Sequence, residues 1–398
     1  MVTAENSRTI EALRFPLVFL VVLIHASGTQ VSYLNGGFSA PEGFYCLFLQ
    51  HLFSGVLAKT AVPLFSLISG LLFFREGQLT VSLIARKWKN RIRTLLIPFL
   101  LWNALVLLGQ TVGQSIPQTR AFFSGSTFDV HAVTLYTFAD SLLGFDRGPV
   151  NFPLWFLRDL IIVTALAPAL FLVLRVTRGW CLVAFALLWI QWVPGKDLAT
   201  IPSPRTVFFF SLGAWFAGMI GDPLSAVSVR PFLSRAAMSL YAVAACVEAY
   251  LLAKGRIVFL LHEANVLLGM YLLWYAANRL LLMKAVGDFL VRLGPSAFFV
   301  YLAHGQVVQV FKKLSYWTLQ PSRDSTILAI YFLSSLLTAL SLSCFYFLLR
   351  RHFPRVSAVL TGRDPTLPRA TVRRPSCHFH PFEPGLERLE SQTVERIA

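Results

Sequence analysis

Long apolar stretches separated by short polar segments dominate the sequence. Ten of them approach the length of a membrane crossing: 9–27, 56–74, 94–112, 153–174, 180–194, 206–221, 234–253, 257–281, 295–312 and 326–349. A transmembrane helix needs about 20 mainly apolar residues, because the hydrocarbon core is about 30 Å thick. The pattern predicts an all-α integral membrane protein, a bundle of about ten transmembrane helices. The fifth and sixth stretches are short enough to be tilted or re-entrant, and 44–55 is either an interfacial helix or an extension of the second span.

The composition agrees with a multi-pass protein of a plasma or inner membrane. Hydrophobic residues make up 56% of the chain and charged residues 14%, whereas soluble domains carry about 25% charged residues. The formal net charge of +16 does not indicate a nucleic-acid partner, because membrane proteins concentrate Lys and Arg in their cytoplasmic loops. Membrane lipids are the partners that this composition implies.

The distribution of basic residues predicts the orientation. Six Lys and Arg residues lie between the second and third spans, whereas the segment 28–55 has none. Short loops rich in Lys and Arg stay in the cytoplasm. We therefore predict that the N-terminus and the C-terminus are both cytoplasmic.

The composition changes at the end of the last span. Residues 1–352 form the predicted transmembrane domain, and 353–398 read as a polar, Pro-rich cytoplasmic tail that is disordered. Cys377, His378 and His380 lie close together in this tail, but three candidate ligands on a floppy segment do not define a metal site. The other four cysteines lie in or beside apolar runs without metal-ligand spacing, so we expect no metal.

The first apolar stretch carries three ionisable residues, Glu11, Arg14 and His25. Ionisable side chains in a membrane are costly and usually mark a functional site. Arg14 and His25 are eleven residues apart, close to three helical turns, so they share a helix face about 16 Å apart along the axis. Glu11 lies one turn before Arg14 and can pair with it. The alternative is a signal anchor whose His packs against neighbouring helices.

The other polar stretches fall into two groups, one at the inner face of the membrane and one in its outer half. The segment 61–70 contains Pro63 and a Ser-Gly step, which favours close helix packing, and the basic run 86–98 suits anionic headgroups or a phosphorylated cofactor equally well. Under the predicted orientation, Arg14 and the basic run lie at the inner face. A set of ionisable residues then falls in the outer half of the membrane: His25, Arg158, Asp159, Glu248, Glu263 and His304. The pattern indicates an inner mouth suited to anions and a polar chamber towards the outside.

Five of these stretches, in order and spacing, resemble the membrane-bound acyltransferase-3 family, whose members O-acylate surface sugars and related acceptors. They are Ile10 to His25, Val62 to Gly70, Arg86 to Pro98, Pro153 to Asp159 and Leu293 to His304. Glu11 matches the family's acid in the first helix. The family's basic pair before the third span is commonly Arg-x-x-Arg, whereas Arg91 and Arg93 are one residue closer together.

The resemblance implies a function and roles for single residues. The chain would move an acetyl or other short acyl group from acyl-CoA, a co-substrate, to a hydroxyl of a cell-surface sugar, glycan or lipid-linked precursor, with no permanently bound cofactor. Arg14, Arg91 and Arg93 would bind the donor phosphates. His25 and Glu11 would be catalytic, with His25 acting either as general base or as acyl carrier. The acceptor side would be shaped by Trp155, Arg158, Asp159 and His304.

Two other classes of function fit a polar bundle. A transporter or flippase for a glycan or lipid-linked substrate also places polar groups inside the membrane, but we find no repeated pair of Gly/Pro-broken helices in corresponding halves. A structural or sensory membrane protein without turnover is the third interpretation. Transfer of an acyl group from acyl-CoA separates all three.

Overall fold

The computed structural model describes residues 4–33, 36–76, 80–123, 133–191, 201–217 and 231–363. Within these ranges the chain is almost entirely helical, as predicted. The α-helices are Ala4–Ala26, Phe44–Gln50, Ala61–Phe74, Val81–Arg91, Ile97–Ser115, Pro117–Phe123, Leu135–Leu143, Trp155–Ala165, Ala167–Val176, Cys181–Ile190, Pro204–Trp215, Pro231–Ala253, Phe259–Leu282, Lys284–Leu319, Asp324–His352 and Pro354–Thr361. Gln30–Tyr33 and Gly36–Ser39 pair as a small antiparallel ribbon after the first helix.

Two of the long helices change their winding along their length. The run Phe44–Phe74 is continuous, because the α-helix Phe44–Gln50 passes through a π-helical and a 3-10 segment into Ala61–Phe74. The stretch 44–55 is therefore an extension of the second span. A second π-helical segment, Ile92–Leu96, joins the basic helix Val81–Arg91 to the third span. Such π segments are frequent at functional sites.

Helices that are long and apolar enough to cross a membrane number six in the described ranges, or seven if one bent pair counts as a span. The bent pair is Phe152–Ala165 and Ala167–Val176, with an angle of 61°. The predicted count of ten is not confirmed. Cys181–Ile190 has 10 residues, so at about 1.5 Å per residue it does not reach across roughly 30 Å of hydrocarbon. Pro204–Trp215 continues as a π-helical turn to residue 217, where this described range ends. Phe259–Leu282 is long enough, but polar residues interrupt its apolar sequence.

The outer surface of the bundle is apolar. On Pro231–Ala253 the exposed side chains include Leu240, Val243, Val247 and Tyr250, which recur at helical spacing on one face. A soluble helix would expose polar groups there. This face is suited to contact with lipid.

The first helix lies at the centre of the bundle. It packs mainly against Lys284–Leu319 and also against Asp324–His352. Gly294 permits close approach to the first helix, because a Cβ atom at Gly294 would lie 2.9 Å from the Glu11 carbonyl oxygen. Further along both helices His25 lies beside His304, so the two run in the same direction. This central position explains how one helix can carry several ionisable residues.

A second close contact joins Ala61–Phe74 to Pro204–Trp215. A Cβ atom at Gly70 would overlap the Phe210 carbonyl oxygen, and one at Gly213 would overlap the Leu67 carbonyl oxygen. Small residues let the backbones of membrane helices approach and pack directly. The predicted packing role of the segment 61–70 is thereby confirmed.

The segment that follows residue 352 begins with a short helix. Pro354–Thr361 is a helix, and Trp102 Nε1 donates a hydrogen bond to the Leu360 carbonyl oxygen at 3.0 Å. This bond ties the helix to the third span. The predicted tail from residue 364 onward lies outside the described residues.

Candidate active site

Two histidines from distant parts of the chain meet at one end of the bundle. His25 lies in the last turn of the first helix, and its ring centroid is 5.2 Å from that of His304. The edge of the Phe152 ring packs against His25 with centroids 4.8 Å apart. No hydrogen bond or ion pair engages the His25 imidazole within the described residues. Its ring nitrogens are therefore available for a substrate.

The His304 side chain is completely buried, and its orientation follows from one hydrogen bond. Its Nδ1 lies 2.7 Å from the Tyr301 carbonyl oxygen, which can only accept, so Nδ1 carries a proton and donates. In a neutral imidazole the other nitrogen is then an acceptor. This atom, Nε2, is buried and has no partner in the described part of the chain. A buried polar atom of this kind requires an explanation, and a group brought in by a substrate would supply the missing donor.

The segment before the fourth span closes this end of the site. Asn151 Nδ2 donates to the Leu302 carbonyl oxygen at 2.9 Å, and Tyr301 Oη donates to the Pro153 carbonyl oxygen at 2.9 Å. These bonds hold the segment containing Phe152 against the His304 helix. Trp155 follows directly and is half-buried. The structure therefore places Trp155 on the segment that adjoins the two histidines.

Arg158 and Asp159 form a buried ion pair. Their side chains are 3% and 0% exposed, and Arg158 Nη2 lies 3.0 Å from Asp159 Oδ1. Asp159 Oδ2 also accepts a hydrogen bond from the Ser203 backbone N–H at 2.8 Å, and Arg158 donates to the Gly144 carbonyl oxygen. The two residues pair although they are adjacent on the helix. Their bonds position the loop at Gly144 and the start of the Pro204–Trp215 helix.

The predicted Glu11–Arg14 pair is present, with Arg14 Nη1 2.9 Å from Glu11 Oε1. Both side chains are partly exposed, at 38% for Glu11 and 36% for Arg14. The pair lies eleven residues or more before His25, about 16 Å away along the helix axis. Arg14, near the middle of the helix Ala4–Ala26, and His25, in its last turn, thus mark the two ends of the candidate site.

Arg93, the basic residue of the π-helical segment Ile92–Leu96, is connected to the Arg14 end of the site through Arg363, the last described residue. Arg93 Nη2 donates to the Arg363 carbonyl oxygen at 3.5 Å, and the Arg363 guanidinium lies within electrostatic range of Arg14. Arg91 is half-buried and makes no ion pair with any described residue. Arg363 was not predicted as part of the site, because the sequence indicates only a polar tail at this position.

A cavity of about 530 Å³ opens beside the histidine end of the first helix. Ile24, Ser27 and Gly28, which flank His25, line one side of it. The other lining groups include Gln50, Lys59, Arg205, Glu248 and His262. Of the six ionisable residues predicted to form a polar chamber, Glu248 lines this cavity.

The Glu248 carboxylate is fully engaged within this cavity. His262 Nδ1 lies 2.6 Å from Glu248 Oε1, and Asn265 Nδ2 donates to Glu248 Oε2 at 2.6 Å. Lys59 and Arg205 were not predicted as site residues. In the sequence, each is a single basic residue at the edge of an apolar run. Ordinary loop residues have the same pattern, so it does not distinguish a site residue.

Residues 8–348 match the family model of the acyltransferase domain known as Acyl_transf_3. The chain belongs to this acyltransferase family. It is also 26% identical, over 375 residues covering 90% of this chain and 93% of the relative, to the succinoglycan biosynthesis protein ExoH of Rhizobium meliloti (strain 1021). No solved structure matches the chain.

Membership of the acyltransferase family, together with helices long and apolar enough to cross a membrane, makes the protein a membrane acyltransferase. Its matched region contains both ends of the site, from Arg14 to His304. The structure groups His25, His304 and the segment leading to Trp155 at one end, and Glu11, Arg14 and Arg93 at the other.

Proposed function

We propose that this acyltransferase moves an acetyl or other short acyl group from acyl-CoA to a hydroxyl of a cell-surface sugar, glycan or lipid-linked precursor. The observation that carries the proposal is the pair His25 and His304 beside a cavity of about 530 Å³, with Arg14 and neighbouring arginines about 16 Å away along the same helix. A nucleophile or base next to a cavity, with a separate anion site, is the arrangement that transfer between two substrates requires. The relative's name, a succinoglycan biosynthesis protein, supports a glycan acceptor.

The donor's phosphates would lie among Arg14, Arg91, Arg93 and Arg363. Guanidinium groups bind phosphate oxygens in bidentate fashion. Glu11 orients Arg14 through the 2.9 Å ion pair. The pantetheine arm would follow the first helix towards His25, so that the thioester reaches the histidine pair.

At His25 the acceptor hydroxyl attacks the thioester carbon, a new C–O bond forms and the C–S bond breaks. As general base, His25 takes the hydroxyl proton and returns it to the departing CoA thiolate. As acyl carrier, His25 itself attacks the thioester carbon, so that a C–N bond forms and the CoA thiolate leaves. The acceptor hydroxyl then attacks the acyl-imidazole carbon, the C–O bond forms as the C–N bond breaks, and the hydroxyl proton passes to the CoA thiolate. In both routes the unpartnered Nε2 of His304 can accept a hydrogen bond from the acceptor, and Arg158 and Asp159 hold the surrounding backbone.

The deciding experiment measures the transfer of radiolabelled acetyl groups from acetyl-CoA into membrane glycans, using membranes that contain this protein. Incorporation that depends on the protein supports the acyltransferase assignment to this donor. Movement of a glycan across the membrane without acyl transfer would instead support a transporter or flippase.

We expect Arg14→Ala to raise the acyl-CoA concentration needed for half-maximal transfer. A hydrogen bond to a charged group contributes about 1.5–3 kcal/mol, which corresponds to roughly a 10-fold to 100-fold effect. Arg91→Ala and Arg93→Ala should act in the same direction more weakly, because the cluster contains several cations. The measurement is initial rate against acyl-CoA concentration at saturating acceptor.

Arg8→Ala is the matched control for this experiment. Arg8 lies on the same helix and pairs with Asp288 at 2.7 Å on the exposed surface, where an ion pair contributes little. An Arg14→Ala protein that required more acceptor but the same acyl-CoA would show that the donor does not bind at this end.

We also propose about ten membrane-inserted helices with both termini in the cytoplasm. The contacts support a position of both termini on the same side of the membrane. Arg8, near the N-terminus, contacts Asp288, and Arg363, the last described residue, lies near Arg14. The basic helix Val81–Arg91 lies at the start of the third span, as expected for a cytoplasmic segment.

A reporter fused after residue 363 tests this orientation. It keeps the helix Pro354–Thr361 intact, and we expect alkaline phosphatase at this position to be inactive and green fluorescent protein to be fluorescent. A reporter in the 28–43 segment should behave in the opposite way. An active phosphatase after residue 363 would place the arginine cluster outside and remove the donor site from the cytoplasm.

A further inference from the structure

Arg205 is a buried cation that lines the cavity beside His25. The residue is 6% exposed, and its Nε atom is buried without a hydrogen-bond partner. Neither an ion pair nor a hydrogen bond from its guanidinium group is present among the described residues. The Asp159 carboxylate accepts a hydrogen bond from the backbone N–H of Ser203, two residues before Arg205 in the chain. This bond holds the start of the helix that carries Arg205.

The carboxylates that share the cavity already have partners. Glu248 is bonded by His262 and Asn265, and Glu42 accepts a hydrogen bond from Gln50 Nε2 at 2.8 Å. Lys59 adds a second cation to the lining. The cavity therefore contains a guanidinium group without a counterion in the described part of the protein.

A charged group that is buried without a partner is strongly destabilising. A ligand that brings an anion into the cavity would remove this cost. The guanidinium group matches a carboxylate, which it binds through two parallel hydrogen bonds. The cavity's own carboxylates, Glu42 and Glu248, disfavour a multiply charged phosphate, so a singly charged group fits better.

We propose that Arg205, assisted by Lys59, binds a carboxylate group of one of the two substrates. This inference rests on the proposed acyl transfer and adds a specificity determinant to it. Because Ile24 and Ser27 flank His25 and also line the cavity, the carboxylate would lie near the reacting atoms. The carboxylate would have one of two sources. It is either the free carboxylate of a dicarboxylic acid whose other carboxyl group is joined to CoA as a thioester, or the carboxylate of an acidic sugar of the acceptor.

The test compares charged and neutral substrates of similar shape, using the full chain in native membranes. The donor pair is succinyl-CoA and butyryl-CoA, and the acceptor pair is a glucuronate-terminated oligosaccharide and its glucose-terminated counterpart. We expect Arg205→Gln to lower the preference for one charged member over its neutral counterpart at least tenfold. Arg205→Lys should restore part of that preference. The pair that responds identifies the source of the carboxylate.

Arg279→Gln is the control for loss of one positive charge, because Arg279 is exposed and bonds only to Tyr275 nearby. Thermal stability measurements of the purified protein with and without succinate or glucuronate report binding independently of turnover, since a ligand that binds the folded state stabilises it. Stabilisation of the wild type by one of these anions, lost in Arg205→Gln, supports the site even if no acyl transfer is detected. An Arg205→Gln protein whose charged and neutral substrates are affected equally, or not at all, would overturn the proposal.

Discussion

His25→Gln is expected to reduce acyl transfer by a factor of about 10²–10⁴, the usual contribution of a positioned acid–base group. Gln can replace a hydrogen bond of the imidazole but cannot take up a proton or carry an acyl group. The His25 ring makes no hydrogen bond to a described residue, and it packs against the rings of Phe152 and His304. Its replacement should therefore leave the protein inserted and folded. Transfer of radiolabel per amount of membrane-inserted protein is the measurement.

His352→Gln is the matched control, because His352 is an exposed histidine at the end of the helix Asp324–His352. It should keep normal activity. Near-normal turnover of His25→Gln would refute the catalytic role and leave His25 as a structural residue. Loss of the variant from the membrane would show that His25 contributes to folding, and would contradict the prediction in a different way.

The two routes at His25 can also be separated. If His25 is a general base, imidazole added to His25→Ala should restore part of the activity, since a small base can occupy the space left by the side chain. If His25 is an acyl carrier, radiolabel should remain on the wild-type protein when acceptor is omitted. The label should be absent from His25→Gln.

Gly70→Ala is expected to destabilise the bundle strongly. The added Cβ atom overlaps the Phe210 carbonyl oxygen of the facing helix. The overlap is with backbone, which cannot rotate away as a side chain can, so Ala61–Phe74 and Pro204–Trp215 must separate. Overpacking of this kind costs about 1–3 kcal/mol or more. The thermal midpoint of the purified protein and the amount inserted in the membrane should both fall.

Gly109→Ala is the control for this substitution. Gly109 also lies in an apolar helix, Ile97–Ser115, but a Cβ atom there would meet nothing within 4 Å. Since Ala is more favourable than Gly in a helix by roughly 1 kcal/mol, this variant should be as stable as the wild type or more so. Equal stability of Gly70→Ala and wild type would show that the two helices are not in contact.

The consequence of Gly70→Ala should extend to the site. The helix Pro204–Trp215 carries Arg205 in its first turn, and the segment Phe44–Phe74 contributes Gln50 and Lys59 to the cavity. Separation of these elements would displace cavity groups even where the protein still folds.

The local features of the chain followed from its sequence. Helical class, the Glu11–Arg14 pair and the shared face of Arg14 and His25 all depend on residues within a few turns of one another. These relations are set by the helix repeat and by apolar length. The family resemblance was also available from the sequence, because its motifs are short and lie in order along the chain.

The number of membrane crossings could not be predicted as directly from the sequence. Cys181–Ile190 is apolar but shorter than a membrane is thick, and the fourth stretch is bent by 61°. Apolar composition shows that a segment avoids water. It does not show whether a segment crosses the membrane or is buried inside the protein.

Only the tertiary structure decided which polar groups meet. It placed His304 beside His25, brought Arg363 to the Arg14 end, and left Arg205 as a buried cation facing a cavity. These partners are far apart in the chain, and no periodicity in the sequence relates them. In a membrane, helix pairing depends on close contacts at small residues such as Gly70, Gly213 and Gly294 and on hydrogen bonds between helices. Apolar pattern alone therefore determines that the helices insert, and the packing between them determines the site.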